Sequence, residues 1–142
     1  MAKKTLYSAL LVLLIAFWSY NHFTQPISTS TQNQKYEKVI YLPSDRYPET
    51  AQHIKEAEST GESIICTIDR KDVKEHRKES LQGIETKAGY DRDEFPMAMC
   101  AEGGKGANVK LVHSSDNRGA GAWVSHQLNG LPDGTKVLIQ VK

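Results

Sequence analysis

A run of four consecutive charged residues is the densest group of possible catalytic side chains in the chain: Asp91, Arg92, Asp93 and Glu94. A second polar group, Asn117 and Arg118, follows later in the chain. Carboxylate and amide oxygens are the donors that a hard divalent cation prefers, and arginine binds phosphate through paired hydrogen bonds. The two groups together predict chemistry on a phosphate ester, assisted by a bound cation.

The residues between these groups predict the elements that position them. A glycine-rich turn at 102–106 separates the acidic run from a short apolar stretch, Val109 to Val112, and a capping cluster at 114–117 follows. This pattern predicts a strand ending in carboxylates, a long loop, a second strand, and a helix from Asn117 to Leu128. A helix N-terminus favours anions, so the phosphate would lie beside Asn117.

The rest of the chain supplies further strands and helices in mixed order. Alternating or β-branched residues predict strands, and helical spacing between a proline and a glycine predicts a helix. The expected strands are 36–42, 63–68 and 137–141, and the expected helices are 48–61 and 71–81. The predicted fold class is α+β, a small mixed sheet with flanking helices.

The N-terminus has the composition of a targeting segment. Lys3 and Lys4 precede an apolar run from Leu6 to Trp18, which predicts either a cleaved signal peptide or an uncleaved membrane anchor within residues 5–20. The stretch at residues 24–34 is rich in Ser, Thr, Gln and Asn, which predicts a flexible tether. We therefore expect a targeting segment with its tether at 1–30 and a globular domain at 31–142, secreted or anchored on the outer face of the cytoplasmic membrane.

The charge balance argues against binding of a nucleic acid through a large overall positive charge. The chain has 18 basic and 17 acidic side chains, and 16 basic ones remain without Lys3 and Lys4. The densest basic patch lies on the predicted helix at 71–81, with Arg70, Lys71, Lys74, Arg77 and Lys78. This patch is either a solvated helix face or a contact for a phosphate backbone.

Cys66 and Cys100 are the only cysteines, and neither belongs to a C-x-x-C pair that would indicate zinc. Export would place them in an oxidising compartment, where we expect a disulfide. Closing this loop should stabilise the fold by about 3.5–4 kcal/mol on the chain-entropy model. Two buried free thiols are the alternative.

The acidic run also has a purely structural interpretation. Successive strand residues face opposite sides, so Asp93 and Glu94 point apart, and Arg92 could simply bridge the acids at an exposed strand end. The predicted helix argues against this, because Gly119 and Gly121 each cost about 1 kcal/mol relative to alanine. Such glycines are tolerated where another backbone or a bulky ligand comes close.

Four segments together resemble a known family: RYPETAQHIKEA, CTIDR, DRDEFPMAMCAEGG and SDNRGAGAWV. They are similar to the bacterial sporulation and DNA-entry nucleases of the deoxyribonuclease NucA/NucB type, from about Tyr36 to the C-terminus. The resemblance implies a small exported endonuclease that needs Mg²⁺ or Mn²⁺, cuts DNA with little sequence preference, and has a fold like the ββα-metal nucleases. In that fold a base ends one strand and an asparagine on the next helix holds the metal; Asn117 matches that asparagine.

The chain departs from the related nucleases at the residue expected to act as general base. Their Asp-Arg-Gly-His pattern aligns with residues 91–94, where no histidine is present, and His113 and His126 lie off the pattern. The alignment favours Glu94 as base, whereas the shorter and stiffer side chain favours Asp93, which we place first. Arg92 and Arg118 are the expected phosphate clamps. A carboxylate base titrates near 4, so activity could persist in mild acid.

Two other functions remain open from the sequence. One is an exported, non-catalytic module that binds DNA or acts as an inhibitor, although such a module has little reason to place three acids beside phosphate. The other is a phosphodiesterase that also cleaves RNA, because no residue distinguishes deoxyribose from ribose. In each case we expect a monomer.

Overall fold

The computed structural model describes residues 35–142, and the structural statements below concern that part of the chain. The predicted signal peptide or anchor and the tether lie outside the described residues and stay predictions. Between residues 35 and 142, no helix combines the length and apolar character that crossing a membrane requires.

Residues 35–142 form five strands and three helices in the order expected from the sequence. The strands are β1 (Lys38–Leu42), β2 (Ile65–Thr67), β3 (Tyr90–Phe95), β4 (Asn108–His113) and β5 (Lys136–Val141). The helices are α1 (Pro48–Ser59), α2 (Val73–Ser80) and α3 (Ser114–Gln127). The predicted α+β fold class is confirmed.

The strands divide into two separate sheets. In the first, the order is β1-β5-β2, with β5 parallel to β1 and antiparallel to β2. Central β5 carries three consecutive buried residues, Val137, Leu138 and Ile139. Such an apolar run fits a strand that is paired on both edges and buried inside the fold.

The second sheet is the hairpin of β3 and β4, which leads directly into α3. Six residue pairs hold it in register, from Tyr90 opposite His113 to Phe95 opposite Asn108. The acidic run therefore lies within β3 and does not merely end it. Helix α3 begins at Ser114, before the predicted Asn117, because the capping cluster itself is helical and its first amide bonds the Gly89 carbonyl at 3.1 Å.

Helix α1 presents one face to the core. Its buried residues recur at helical spacing: Thr50, Ala51, His53, Ile54 and Ala57. This face packs in a cluster with residues from the first sheet, β3 and α3, including Leu42, Phe95, Val124 and Ile139. The core thus fixes α1 against the hairpin that carries the acidic run.

Asp116 caps α1 instead of its own helix. Its two carboxylate oxygens accept hydrogen bonds from the backbone amides of Glu49 at 3.1 Å and Thr50 at 3.0 Å. The interpretation of residues 114–117 as a capping cluster for α3 was wrong, since no side chain caps that helix. A carboxylate at a helix N-terminus stabilises both free amides and the helix dipole. This contact ties the start of α3 to the start of α1.

The predicted Cys66–Cys100 disulfide is confirmed. Both cysteines are buried, and the bond joins β2 to the loop that follows β3. A bridge between Ile68 and Cys100 and a hydrogen bond from the Asp69 amide to the Met99 carbonyl, 2.8 Å long, reinforce the connection. The first sheet therefore anchors the loop directly after the acidic run.

Candidate active site

A cavity of about 580 Å³ lies against the hairpin and brings together residues from all three helices. Every residue of the acidic run lines it, together with Asn117 and Arg118 of α3. The other lining residues are Thr50, Arg77, Leu81, Thr86, Tyr90, Met97, Ala98, Met99 and Gly121. The structure thus places the two polar groups that the sequence singled out around a single cavity.

Asp91 is held from α3. Ser114 donates its hydroxyl to Oδ1 at 2.8 Å, and Arg118 donates Nε to Oδ2 at 2.8 Å and Nη2 to Oδ1 at 3.0 Å. These hydrogen bonds, with the Arg118 contact the larger, hold the pKa of Asp91 below its ordinary value. Asp91 is therefore a fixed anion whose two oxygens are both occupied.

Asp93 has a different environment although it lies on the same face of β3. Only 8% of the residue is exposed, and its Oδ2 lies 2.7 Å from Nδ1 of His53 in α1. Burial raises the pKa of Asp93 above the usual aspartate value, and the contact with His53 opposes the rise only in part. A carboxyl group with a raised pKa is a stronger base than an ordinary aspartate once it is ionised.

Glu94 points to the opposite face of β3, toward α2. Arg77 donates Nε to Oε1 at 3.0 Å, and Ser80 donates its hydroxyl to Oε2. The predicted separation of Asp93 and Glu94 to opposite faces of the strand is confirmed by these partners. Both oxygens of Glu94 are already engaged within the protein.

The two arginines proposed as phosphate clamps differ in their contacts. Arg92 donates to the backbone carbonyls of Leu81 and Ile84, at 3.4 and 3.0 Å, and so holds the end of α2. Arg118 pairs with Asp91, but 74% of its side chain is exposed. Both line the cavity, and their role toward phosphate stays a prediction.

The chain matches the deoxyribonuclease NucA/NucB family over residues 48–140. It is also 54% identical over 113 residues to the DNA-entry nuclease of Bacillus subtilis (strain 168), covering 80% of this chain and 77% of that protein. The chain belongs to the deoxyribonuclease NucA/NucB family. This membership confirms the resemblance found in the sequence, and it decides for a deoxyribonuclease over the non-catalytic module.

A metal ion in this nuclease would have few protein ligands. Within residues 35–142, no three His, Cys, Asp or Glu side chains are grouped to hold a metal ion. Asn117 offers an amide oxygen at the cavity, and the carboxylates that line the same cavity are hard oxygen donors. Mg²⁺ commonly keeps several waters and uses few protein groups together with substrate phosphates. The residues present therefore fit a hydrated Mg²⁺ or Mn²⁺, and they do not fit zinc.

Two residues that line the cavity of the nuclease, Thr50 and Gly121, have a buried hydroxyl without a partner within residues 35–142 and an open position on α3, respectively. The Thr50 hydroxyl is buried and has no hydrogen-bond partner among the described residues. A Cβ added at Gly121 would meet nothing within 4 Å, whereas one at Gly119 would lie 2.7 Å from the Tyr47 ring. A close approach is therefore present at Gly119, but the ring of Tyr47 makes it and not the backbone or ligand expected from the sequence, and Gly121 leaves space in the cavity.

Sequence reasoning missed two residues of this site. The sequence comparison considered only His113 and His126 as imidazoles near the acidic run, whereas His53 contacts Asp93 across 40 positions in sequence. The missed signal was a histidine on the apolar face of α1, where a polar side chain must find a partner. Arg77 was assigned to a basic patch, but it lines the cavity and binds Glu94.

Proposed function

We propose that the nuclease is an exported, metal-dependent endonuclease that hydrolyses DNA phosphodiester bonds with little sequence preference. The observation that carries this proposal is the shared cavity. A buried carboxylate with one free oxygen, Asp93, lines the same cavity as Asn117 and the exposed guanidinium of Arg118. Base, metal ligand and phosphate contact are the three parts that such a hydrolysis needs.

Asp93 is the better candidate for the base. Its Oδ2 binds His53, while Oδ1 has no hydrogen-bond partner among residues 35–142 and is not a fully buried atom. Asp93 can therefore take a proton from a water molecule in the cavity through Oδ1. Glu94 would first have to release Arg77 or Ser80, which makes it the second candidate.

Arg118 is a better candidate than Arg92 for the residue that binds the phosphate. Arg118 can turn from Asp91 toward a phosphate oxygen because most of its side chain is in solvent. Arg92 would have to break its bonds to two backbone carbonyls. Contacts to phosphate carry no sequence information, so recognition through them fits a nuclease with little sequence preference.

Asn117 would hold the cation, with water and the substrate phosphate completing its coordination. When bound, Mg²⁺ or Mn²⁺ neutralises charge on the phosphoryl group and the leaving oxygen. The cation also compensates for a cavity lined by three carboxylates, which would otherwise repel DNA. The near-neutral charge of the chain makes this compensation more important.

Two features support export. The basic and apolar N-terminus has the composition of a targeting segment, and the Cys66–Cys100 disulfide fits an oxidising compartment. We propose a monomer that is secreted or anchored on the outer face of the cytoplasmic membrane.

A plasmid-nicking assay tests the metal dependence. The purified chain should nick and linearise supercoiled plasmid with Mg²⁺ or Mn²⁺ and leave it intact in excess EDTA. Asn117→Ala should lose activity and partly recover at high Mn²⁺, because the variant weakens cation affinity. Asn129→Ala, at an exposed position beyond α3, is the matched control and should cut normally. Undiminished cleavage in excess chelator would contradict the proposal.

A further inference from the structure

His53 is a fully buried histidine with both ring nitrogens in contact with polar side chains. It has 0% exposure, its Nδ1 lies 2.7 Å from Oδ2 of Asp93, and its Nε2 lies 3.0 Å from Oδ1 of Asn108. Asn108 begins β4 and stands opposite Phe95 in the hairpin. The imidazole thus joins α1 to both strands of the hairpin behind the cavity.

The direction of the contact with Asp93 follows from its ionisation. A carboxylate can only accept hydrogen bonds, so when Asp93 is ionised the Nδ1 nitrogen of His53 must carry the proton and donate it. At Nε2 the partner is Oδ1 of Asn108, which also only accepts, so this contact is a hydrogen bond when Nε2 is protonated as well or when the Asn108 amide is turned to donate Nδ2–H. In both arrangements Nδ1 keeps its proton, and Asn108 fixes the plane of the ring. The donation from Nδ1 occupies Oδ2, and it leaves Oδ1 as the oxygen of Asp93 that can face a water molecule.

The same contact offsets part of the cost of burying the charge. An ionised carboxylate in a buried site is strongly unfavourable unless hydrogen bonds satisfy it. Within residues 35–142, His53 is the only side chain that hydrogen-bonds Asp93. Three other charged groups lie near Asp93. Glu94, which follows it on the strand, and Asp116 oppose its ionisation, and Lys110 is its pair across the hairpin but has its ammonium group bound to Glu56.

We propose that His53 is a positioning residue for catalysis, which donates Nδ1–H to Asp93, favours its ionised form and directs Oδ1 into the cavity. Because it has no exposed surface, His53 does not touch DNA. The inference rests on the proposed role of Asp93 as base. It goes beyond that role in assigning a function to a side chain that lies behind the reacting groups.

Two substitutions of His53 distinguish the effect of its Nδ1 donor from the effect of the rest of the ring. His53→Asn keeps an amide nitrogen near the position of Nδ1, whereas His53→Gln keeps one near the position of Nε2. His53→Gln should lower kcat on plasmid DNA by roughly 10- to 100-fold, the size expected for losing one hydrogen bond to a charged group. His53→Asn should retain kcat within roughly 5-fold of the native enzyme, and KM should change little in either variant. Matched substitutions of the exposed His126 should have no effect.

The pH profile distinguishes this role from a purely structural one. Without the Nδ1 donor the pKa of Asp93 should rise, because His53 lowers it in the native protein. The acid limb of kcat in His53→Gln should therefore move up by about 1–2 pH units. Equal losses in both variants, with an unmoved acid limb, would overturn the proposal and leave His53 a packing residue.

Nitrogen NMR of the native protein gives a readout that needs no activity. With ¹⁵N-labelled histidine, the His53 signal, identified by its absence in His53→Asn, should show a proton on Nδ1 above the acid limb. A bare Nδ1 would overturn the proposal even if His53→Gln failed to fold. If Asp93→Asn cut normally, the proposed base would be wrong whatever the NMR result. If Asp93→Asn were inactive while His53→Gln cut normally, only the inference about His53 would fail.

Discussion

Loss of the Cys66–Cys100 disulfide should lower the free energy of unfolding by an amount that depends on the number of residues between the two cysteines. The bond spans 34 positions, for which the chain-entropy model gives about 3.8 kcal/mol at 25 °C. The entropy of unfolding for roughly 110 residues is about 0.23 kcal/mol/K, so the melting temperature should fall by about 15 °C. The cavity beside the acidic run should be lost with it, because the bond anchors the loop that supplies Met97 and Met99.

Differential scanning calorimetry of the oxidised protein and of protein refolded in reductant measures this difference. The matched control is the Cys66→Ala/Cys100→Ala double variant, whose melting temperature should not respond to reductant. A fall smaller than about 5 °C would refute the loop-entropy argument. Titration of two free thiols in the native exported protein would show that the bond does not form there.

Four further predictions concern the elements around the cavity. Gly119→Ala should lower the melting temperature because the added methyl group meets the Tyr47 ring, whereas Gly121→Ala should raise it, since helix propensity favours alanine by about 1 kcal/mol and nothing obstructs the methyl group; a thermal shift of the same sign in both would contradict the packing. Asp116→Ala should cost about 0.5–2 kcal/mol in urea unfolding, because α1 loses its cap; an unchanged midpoint would show that the cap is dispensable. Because burial raises the pKa of Asp93, the acid limb of kcat should lie above pH 4. The raised pKa also contributes stability that is present below about pH 4 and is lost as pH rises through the pKa of Asp93 in the folded protein. The melting temperature of the native protein, taken relative to that of Asp93→Asn, should therefore fall as pH rises through this range; a pH-independent difference would refute the shift.

Local patterns in the sequence were enough to predict the elements of the fold. Helix α1 begins at the predicted Pro48, and β5 differs from its predicted range by one residue, because proline, glycine and side-chain periodicity act over a few residues. The motifs around the acidic run and Asn117 also identified the family before the structure placed them around one cavity.

The long-range contacts could not be predicted in the same way. Asp116 was read as a cap for the helix nearest in sequence, but tertiary packing brings it to the start of α1. His53 is 40 positions from Asp93, and its face of α1 looked like ordinary core. The buried environment of Asp93 likewise weakens the expectation of activity in mild acid, since that expectation assumed an ordinary carboxylate. Pairing across the fold decides each of these roles, and no local pattern encodes it.

The turnover of Asp93→Asn, measured beside Glu94→Gln, tests the central claim most directly. Both substitutions replace a carboxylate by an amide of the same shape, and folding and DNA binding are verified for each. We expect kcat of Asp93→Asn to fall by at least roughly 10²-fold, the low end for a general base, and Glu94→Gln to remain within roughly 10-fold of the native enzyme. Near-normal turnover of Asp93→Asn with an inactive Glu94→Gln would move the base to Glu94, and normal turnover of both would contradict the catalytic role of the acidic run.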